Sequence, residues 1–154
     1  METKKNNNKV SKWAFAAIGL VLVCLTSCFG GEKWTPKYEE WPTDRIERIT
    51  KVRIPEYKVT KAFIGPTSFN GDFEDSLYIE FETMPSNEMF EQIDSLIASG
   101  ESGWYTEDNH QYSYSTIWGN GTPAPQGEKD EEDRFFELNI TKGEKTGLIV
   151  YGMW

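Results

Sequence analysis

The order of apolar and polar positions predicts mostly strands after residue 45. The segment 76–82 alternates most clearly, with Leu77, Ile79 and Phe81 on one side and polar or aromatic residues on the other. Such alternation is typical of a half-buried strand. Further strands are predicted at 45–54, 57–64, 111–118, 134–141 and 147–154. The last of these is apolar on both faces, which indicates a central or covered strand.

One segment between these strands has helical periodicity. The residues that form its apolar stripe are Met89, Phe90, Ile93, Leu96 and Ile97. Ser86 suits the N-cap position, and Gly100 suits the residue that ends the helix. The spacing of the stripe predicts an amphipathic helix that packs on the sheet.

Together these elements predict an α+β fold over residues 45–154. We expect a single antiparallel sheet of about five to six strands with one helix packed on a face.

The first 27 residues have a different pattern. Four lysines at positions 4 to 12 precede an uncharged run from Trp13 to Ser27. A helix of that length would rise roughly 22 Å, short of the ~30 Å hydrocarbon core of a bilayer. A basic stretch followed by a short apolar run is typical of a secretory signal peptide, predicted here to span residues 1–27 and to be cleaved.

The end of this run, Leu25-Thr26-Ser27-Cys28, resembles the lipobox of bacterial lipoproteins. The resemblance implies cleavage between Ser27 and Cys28 and attachment of fatty acyl groups such as palmitate to Cys28. The alternative is that Cys28 is a small residue of a membrane helix. The resemblance also implies a cell-envelope location, and Phe29, which is not the aspartate of many inner-membrane lipoproteins, favours the outer membrane.

Residues 28–44 are predicted to be a lipid-anchored tether. They contain Gly30-Gly31, Pro36 and Pro42 and lack apolar periodicity. Because Trp34, Tyr38 and Trp41 are unusual in a linker, we expect at least one of them to pack on the domain or lie among lipid headgroups.

The charge of the chain limits its partners. Loss of four lysines and one glutamate with the signal changes the net charge from −9 to −12. Residues 62–154 hold four basic and eighteen acidic side chains. This excess would repel nucleic acid and does not favour adsorption to anionic lipid.

Aromatic residues make up 14% of the chain. A possible ligand-stacking platform consists of Trp104, Tyr112, Tyr114 and Trp118. Exposed rings at these positions could stack on a sugar or a side chain. The alternative is that Tyr112, Tyr114 and Trp118 form the buried face of one strand.

The sequence assigns no catalytic residue, metal ligand or cofactor. His110 is the one histidine and lies in a polar turn, whereas zinc sites and catalytic triads need several partners. The acidic segment 128–133 lacks the oxygen spacing of an EF-hand, and Asn70-Gly71 explains segment 70–75 as a turn. Both segments are predicted to be solvated loops.

Two serines fit a short modification motif. Asp75-Ser76-Leu77 and Asp94-Ser95-Leu96 resemble the acceptor of a bacterial periplasmic O-glycosylation system. The resemblance implies possible glycosylation at Ser76 and Ser95, with Ser95 the poorer candidate because it lies in the predicted helix.

These features favour a non-enzymatic envelope lipoprotein, a binding module for a protein or a glycan. One alternative is an immunity or inhibitor lipoprotein that neutralises a toxic effector, since an acidic domain would attract a basic one. Another is a hydrolase that depends on paired carboxylates.

Overall fold

The computed structural model describes residues 38–100, 102–130 and 133–154. The predicted signal peptide, Ser27, Cys28 and the predicted tether up to residue 37 lie outside the described residues. The described elements are helix α1 (Thr43–Thr50), strands β1 (Tyr57–Ile64) and β2 (Phe73–Phe81), helix α2 (Asn87–Ser99), and strands β3 (Trp104–Thr106), β4 (Gln111–Trp118), β5 (Arg134–Thr141) and β6 (Thr146–Met153).

The strands form one antiparallel sheet in the order β1-β2-β6-β5-β4-β3. The predicted α+β class and its single sheet are therefore confirmed. Strand β6 lies between β2 and β5, so it is a central strand, one of the two alternatives that its apolar sequence indicates. The short strand β3 was missed because three residues are too few to show a period.

Helix α2 begins and ends where its sequence predicts. The Ser86 hydroxyl accepts a hydrogen bond from the Met89 amide at 3.2 Å, and Gly100 adopts a left-handed conformation with φ of 69°. Its Phe90 ring lies 5.1 Å from the Tyr112 ring of β4. The helix therefore packs on the face of the sheet that carries Tyr112.

The strand predicted at 45–54 is wrong, because residues 43–50 form helix α1. Ile46 and Ile49 are three positions apart and both are buried, which is helical spacing. The segment is rich in β-branched residues, and this raised its apparent strand propensity. Tertiary packing of the two isoleucines decides in favour of the helix.

The folded part starts earlier than the sequence analysis placed it. Trp41 is buried, with its ring 4.5 Å from Phe136, and the Tyr57 hydroxyl donates to the Trp41 carbonyl. Residues 38–44, which the sequence assigned to the tether, therefore pack as part of the domain. The expectation that one tether aromatic packs on the domain is confirmed for Trp41.

Candidate functional site

The aromatic residues predicted to form a platform are all buried: Trp104, Tyr112, Tyr114 and Trp118. Two of them donate hydrogen bonds to carbonyl groups at the C-terminal end of helix α1. The Trp104 indole donates to the Thr50 carbonyl at 2.9 Å, and the Tyr114 hydroxyl donates to the Ile49 carbonyl at 2.8 Å. These rings present no stacking surface to solvent, so the alternative of a buried strand face is correct.

The two serines of the glycosylation motif are placed differently. Ser95 is exposed on helix α2, where its hydroxyl donates to the Glu91 carbonyl at 2.9 Å. Ser76 is half-buried within β2, opposite Val150 of β6. Neither position lies in a loop.

His110 and the acidic segments are not assembled into a metal site. Within residues 38–100, 102–130 and 133–154, no three His, Cys, Asp or Glu side chains converge on a point where a metal could bind. His110 is exposed in the turn before β4. Segment 128–133 is not wholly solvated as predicted, because the Glu128 carboxylate is paired with Arg45 at 2.6 Å.

One face of the sheet carries no helix among the described residues. In the described part of the chain, α1 and α2 both pack on the face that carries Tyr112 and Tyr114. Directly paired residues of an antiparallel sheet point to the same side. One row on the opposite side runs across all six strands and consists of Lys61, Tyr78, Leu148, Asn139, Ser113 and Tyr105. We call this side the open face.

Exposed aromatic and aliphatic groups lie on the open face. Phe63, Tyr78, Tyr105 and Ile117 are each 44–53% exposed. The Phe63 ring meets Tyr78 edge-on at 5.9 Å, and the Lys61 ammonium lies 4.3 Å from the centre of the Phe63 ring. Apolar rings and a nearby cation are features of protein interfaces.

The centre of the open face combines aliphatic and polar side chains. Leu148 and Val150 of β6 are half-buried there. Beside them the Ser113 hydroxyl donates to the Asn139 side-chain oxygen at 2.6 Å. This mixture offers apolar contact together with fixed hydrogen-bonding groups.

A pocket of about 410 Å³ opens at one end of the sheet beside a buried carboxylate. Asp75 is only 6% exposed. One of its oxygens accepts from the Gly65 amide at 3.0 Å and the other from the Tyr151 hydroxyl at 2.9 Å. The Tyr151 hydroxyl in turn accepts from the Glu39 amide at 2.8 Å. The Asp75 carboxylate of β2 therefore connects the backbone just after β1 with the Tyr151 side chain of β6.

A second pocket, of about 430 Å³, is lined by charged groups. Arg45 pairs with Glu39 at 2.7 Å and with Glu128 at 2.6 Å, and its guanidinium lies 3.7 Å from the centre of the Trp41 ring. Arg134 also pairs with Glu39, at 3.1 Å. The two carboxylates balance Arg45 and Arg134, and their contacts tie the segment at Glu39 to the loop before β5, while Arg48 and Lys129 add two further positive charges to the lining of the pocket.

Comparisons with known proteins found no match. No family model matches the chain, and no significant match was found among curated proteins or among solved structures. No helix within the described residues has both the length and the apolar character needed to cross a bilayer.

The sequence analysis did not identify the open-face residues. It placed Tyr78 with Glu80 and Glu82 on the polar side of its strand, and it did not weigh Ile117 or Phe63. A usable signal was present in the alternation of β4: Ile117 directly precedes Trp118, which is buried, and successive side chains of a strand point to opposite faces, so Ile117 has to point away from the core. Only strand pairing shows that Phe63, Tyr78 and Tyr105 share one face.

Proposed function

We propose that this chain is a lipid-anchored envelope protein whose domain binds another protein through the open face. The anchor is inferred from Leu25-Thr26-Ser27-Cys28, with Cys28 as the acylated residue. The binding role is supported by one observation above all, the row of exposed and half-exposed apolar side chains on the open face.

The chemistry of the open face favours a protein over a glycan. Sugar-binding platforms use aromatic rings that lie flat towards the ligand, whereas Tyr78 meets Phe63 edge-on at 5.9 Å. Leu148 and Val150 add aliphatic surface between the aromatic groups. Protein interfaces are enriched in such tyrosine, phenylalanine and aliphatic contacts, with a polar rim.

Site-specific photo-crosslinking in the intact envelope tests the binding role. A photoreactive amino acid is placed at Tyr105, and as a matched control at Glu91, an exposed position of α2 on the other side of the sheet. We expect one discrete protein adduct from position 105 and none from position 91. A Tyr78→Ala substitution should reduce the yield at 105 at least about threefold, since hot-spot aromatic residues contribute most to an interface.

Other outcomes contradict the proposal. Equal crosslinking from positions 91 and 105, or a carbohydrate polymer as the adduct of position 105, would overturn binding of a protein through the open face. Acylation is tested separately by palmitate labelling, which we expect in the native chain and not in Cys28→Ser.

A further inference from the structure

The chain enters the domain at one particular end of the sheet. Tyr38 lines the 410 Å³ pocket together with Ile64 and Phe73, and the next residue, Glu39, donates its amide to Tyr151. Ile64 is the last residue of β1 and Phe73 the first of β2. We call this end of the sheet the entry end.

Large apolar side chains protrude at the entry end. Phe69, in the loop between β1 and β2, is fully exposed at 106%, and Ile64 and Trp154 are also exposed. Register places these groups at the same end of the sheet, because Ile64 pairs with Asp75 and Phe73 with Met153; the Trp154 ring stacks on Phe135 at 4.5 Å. A fully solvated Phe ring lacks the favourable free energy that burial of its apolar surface would provide.

The loop that carries Phe69 is held in one conformation by its own hydrogen bonds. The Ser68 amide donates to the Asp72 carbonyl at 2.8 Å, and the Gly71 amide donates to the Ser68 carbonyl at 3.1 Å. At the start of the loop, the Gly65 amide is bound to the buried Asp75. The Phe69 ring therefore projects from a turn whose backbone is fixed by hydrogen bonds.

The opposite end of the sheet is mainly polar. The turns there contain Asp108, Asn109 and His110, and Gly143 and Glu144, and a hydrogen bond from the Lys142 amide to the His110 carbonyl at 2.8 Å joins the two turns. Met84 is the exposed large apolar residue near that end, half-exposed after β2. The two ends thus differ in the chemistry that they offer to a surface.

We propose that the entry end rests on a lipid bilayer, with the Phe69 ring inserted among the headgroups. This inference rests on the proposed acylation of Cys28. Nine residues separate Cys28 from Tyr38, and nine extended residues span at most roughly 30 Å. The anchored segment joins the domain at the entry end, and the exposed apolar side chains there favour this end over the polar opposite end as the side that contacts the membrane.

The acidic groups next to Phe69 favour one kind of lipid at this loop, whereas Arg45 and Arg134 at the same end are paired with Glu39. Asp72 and Glu74 flank the Phe69 loop, and their carboxylates would be repelled by an anionic surface. Insertion of apolar rings does not require charged headgroups. The fitting partner is therefore a zwitterionic lipid surface.

The test compares two single labels on the full acylated protein reconstituted in phosphatidylcholine vesicles. An environment-sensitive fluorophore is attached to Phe69→Cys or, as the matched control, to Met84→Cys. We expect a shift of emission to shorter wavelength only at position 69, with at least about twofold stronger quenching there by brominated lipid. Vesicles with a high fraction of anionic lipid should diminish both effects.

The result that overturns the proposal is equal emission and quenching at the two positions in protein that carries the acyl groups. A shift at position 69 that requires added envelope proteins and is absent with lipid alone would overturn it as well, in favour of a protein partner. Absence of acyl groups on Cys28 by mass measurement would instead refute the proposed anchor, so the two failures are distinguishable.

Discussion

Asp75 and Tyr151 show how single residues of this domain satisfy buried polar groups. Among the described residues, the two oxygens of the Asp75 carboxylate accept from the Gly65 amide and from the Tyr151 hydroxyl, both uncharged donors. Hydrogen bonds of this kind offset much of the cost of burying a carboxylate. The same hydroxyl accepts from Glu39, so one side chain joins β2, β6 and the entry segment.

Tyr151 should make the stability of the domain sensitive to alkaline pH. Burial raises the pKa of Tyr151 above its usual value of 10.0. Since the folded state holds this proton more tightly, its contribution is fully present below about pH 10 and is lost as pH rises above that value. We expect the free energy of unfolding to fall between about pH 9 and pH 11 by urea denaturation, and to fall less in Tyr151→Phe.

The slope of the unfolding free energy against pH, compared between the native chain and Tyr151→Phe, distinguishes titration of Tyr151 from the loss of its hydrogen bonds. Tyr151→Phe should be less stable at every pH, because Asp75 and the Glu39 amide lose a partner. Its dependence on alkaline pH should nevertheless be weaker than that of the native chain. Identical slopes would refute the role of the Tyr151 proton.

Residue types were easier to predict than residue surroundings. The sequence singled out Tyr112, Tyr114 and Trp118 as one strand face, and they do share a face. Whether that face was buried could not be read from alternation, because a buried and a ligand-binding face have the same period of two. The answer depends on helix α1, whose carbonyl groups bind Trp104 and Tyr114.

At the scale of elements, the two helices differ in what specifies them. Helix α2 has a complete local set of signals in its Ser86 cap, apolar stripe and Gly100 end. Helix α1 begins after Pro42 without a side-chain cap and ends at Lys51, which has a φ of 63°. A non-glycine residue in this conformation costs on the order of 1 kcal/mol, so α1 depends more on its tertiary contacts.

The contact of Tyr114 with helix α1 can be tested by a substitution that removes only the hydroxyl group. Tyr114→Phe removes the donor to the Ile49 carbonyl and should lower the free energy of unfolding by about 1–2 kcal/mol, as for a buried acceptor left unpaired. Tyr105→Phe in the adjacent strand is the matched control, because its half-exposed hydroxyl lies on the open face. Urea denaturation should give a change near zero for the control, and equal changes would contradict the proposed bracing of α1.

At the scale of the whole molecule, charged groups connect segments far apart in sequence. Arg45 binds Glu39 and Glu128, and Arg134 binds Glu39. The Glu128 side chain is only 7% exposed, so its charge depends on Arg45. This set fixes the entry segment against the long loop before β5.

Loss of Arg45 should therefore cost more than loss of a surface cation. We expect Arg45→Met to lower the free energy of unfolding by about 2–3 kcal/mol, since Glu128 is left partly buried and uncompensated. Arg48→Met is the control, because its exposed pair with Asp44 should contribute less than about 1 kcal/mol. Adding Glu128→Gln to Arg45→Met should recover part of the loss in thermal or urea unfolding; equal costs for Arg45→Met and Arg48→Met would contradict the account.

Local patterns in the sequence were sufficient for the fold class, for helix α2 and for every strand except the short β3, because side-chain period and capping act over a few neighbouring residues. The tertiary structure decided that residues 43–50 are helical, that Trp41 belongs to the core, and that Phe63, Tyr78 and Tyr105 share the open face. Those outcomes depend on which strands pair and on which carbonyl groups meet Trp104 and Tyr114, and these contacts join residues many positions apart.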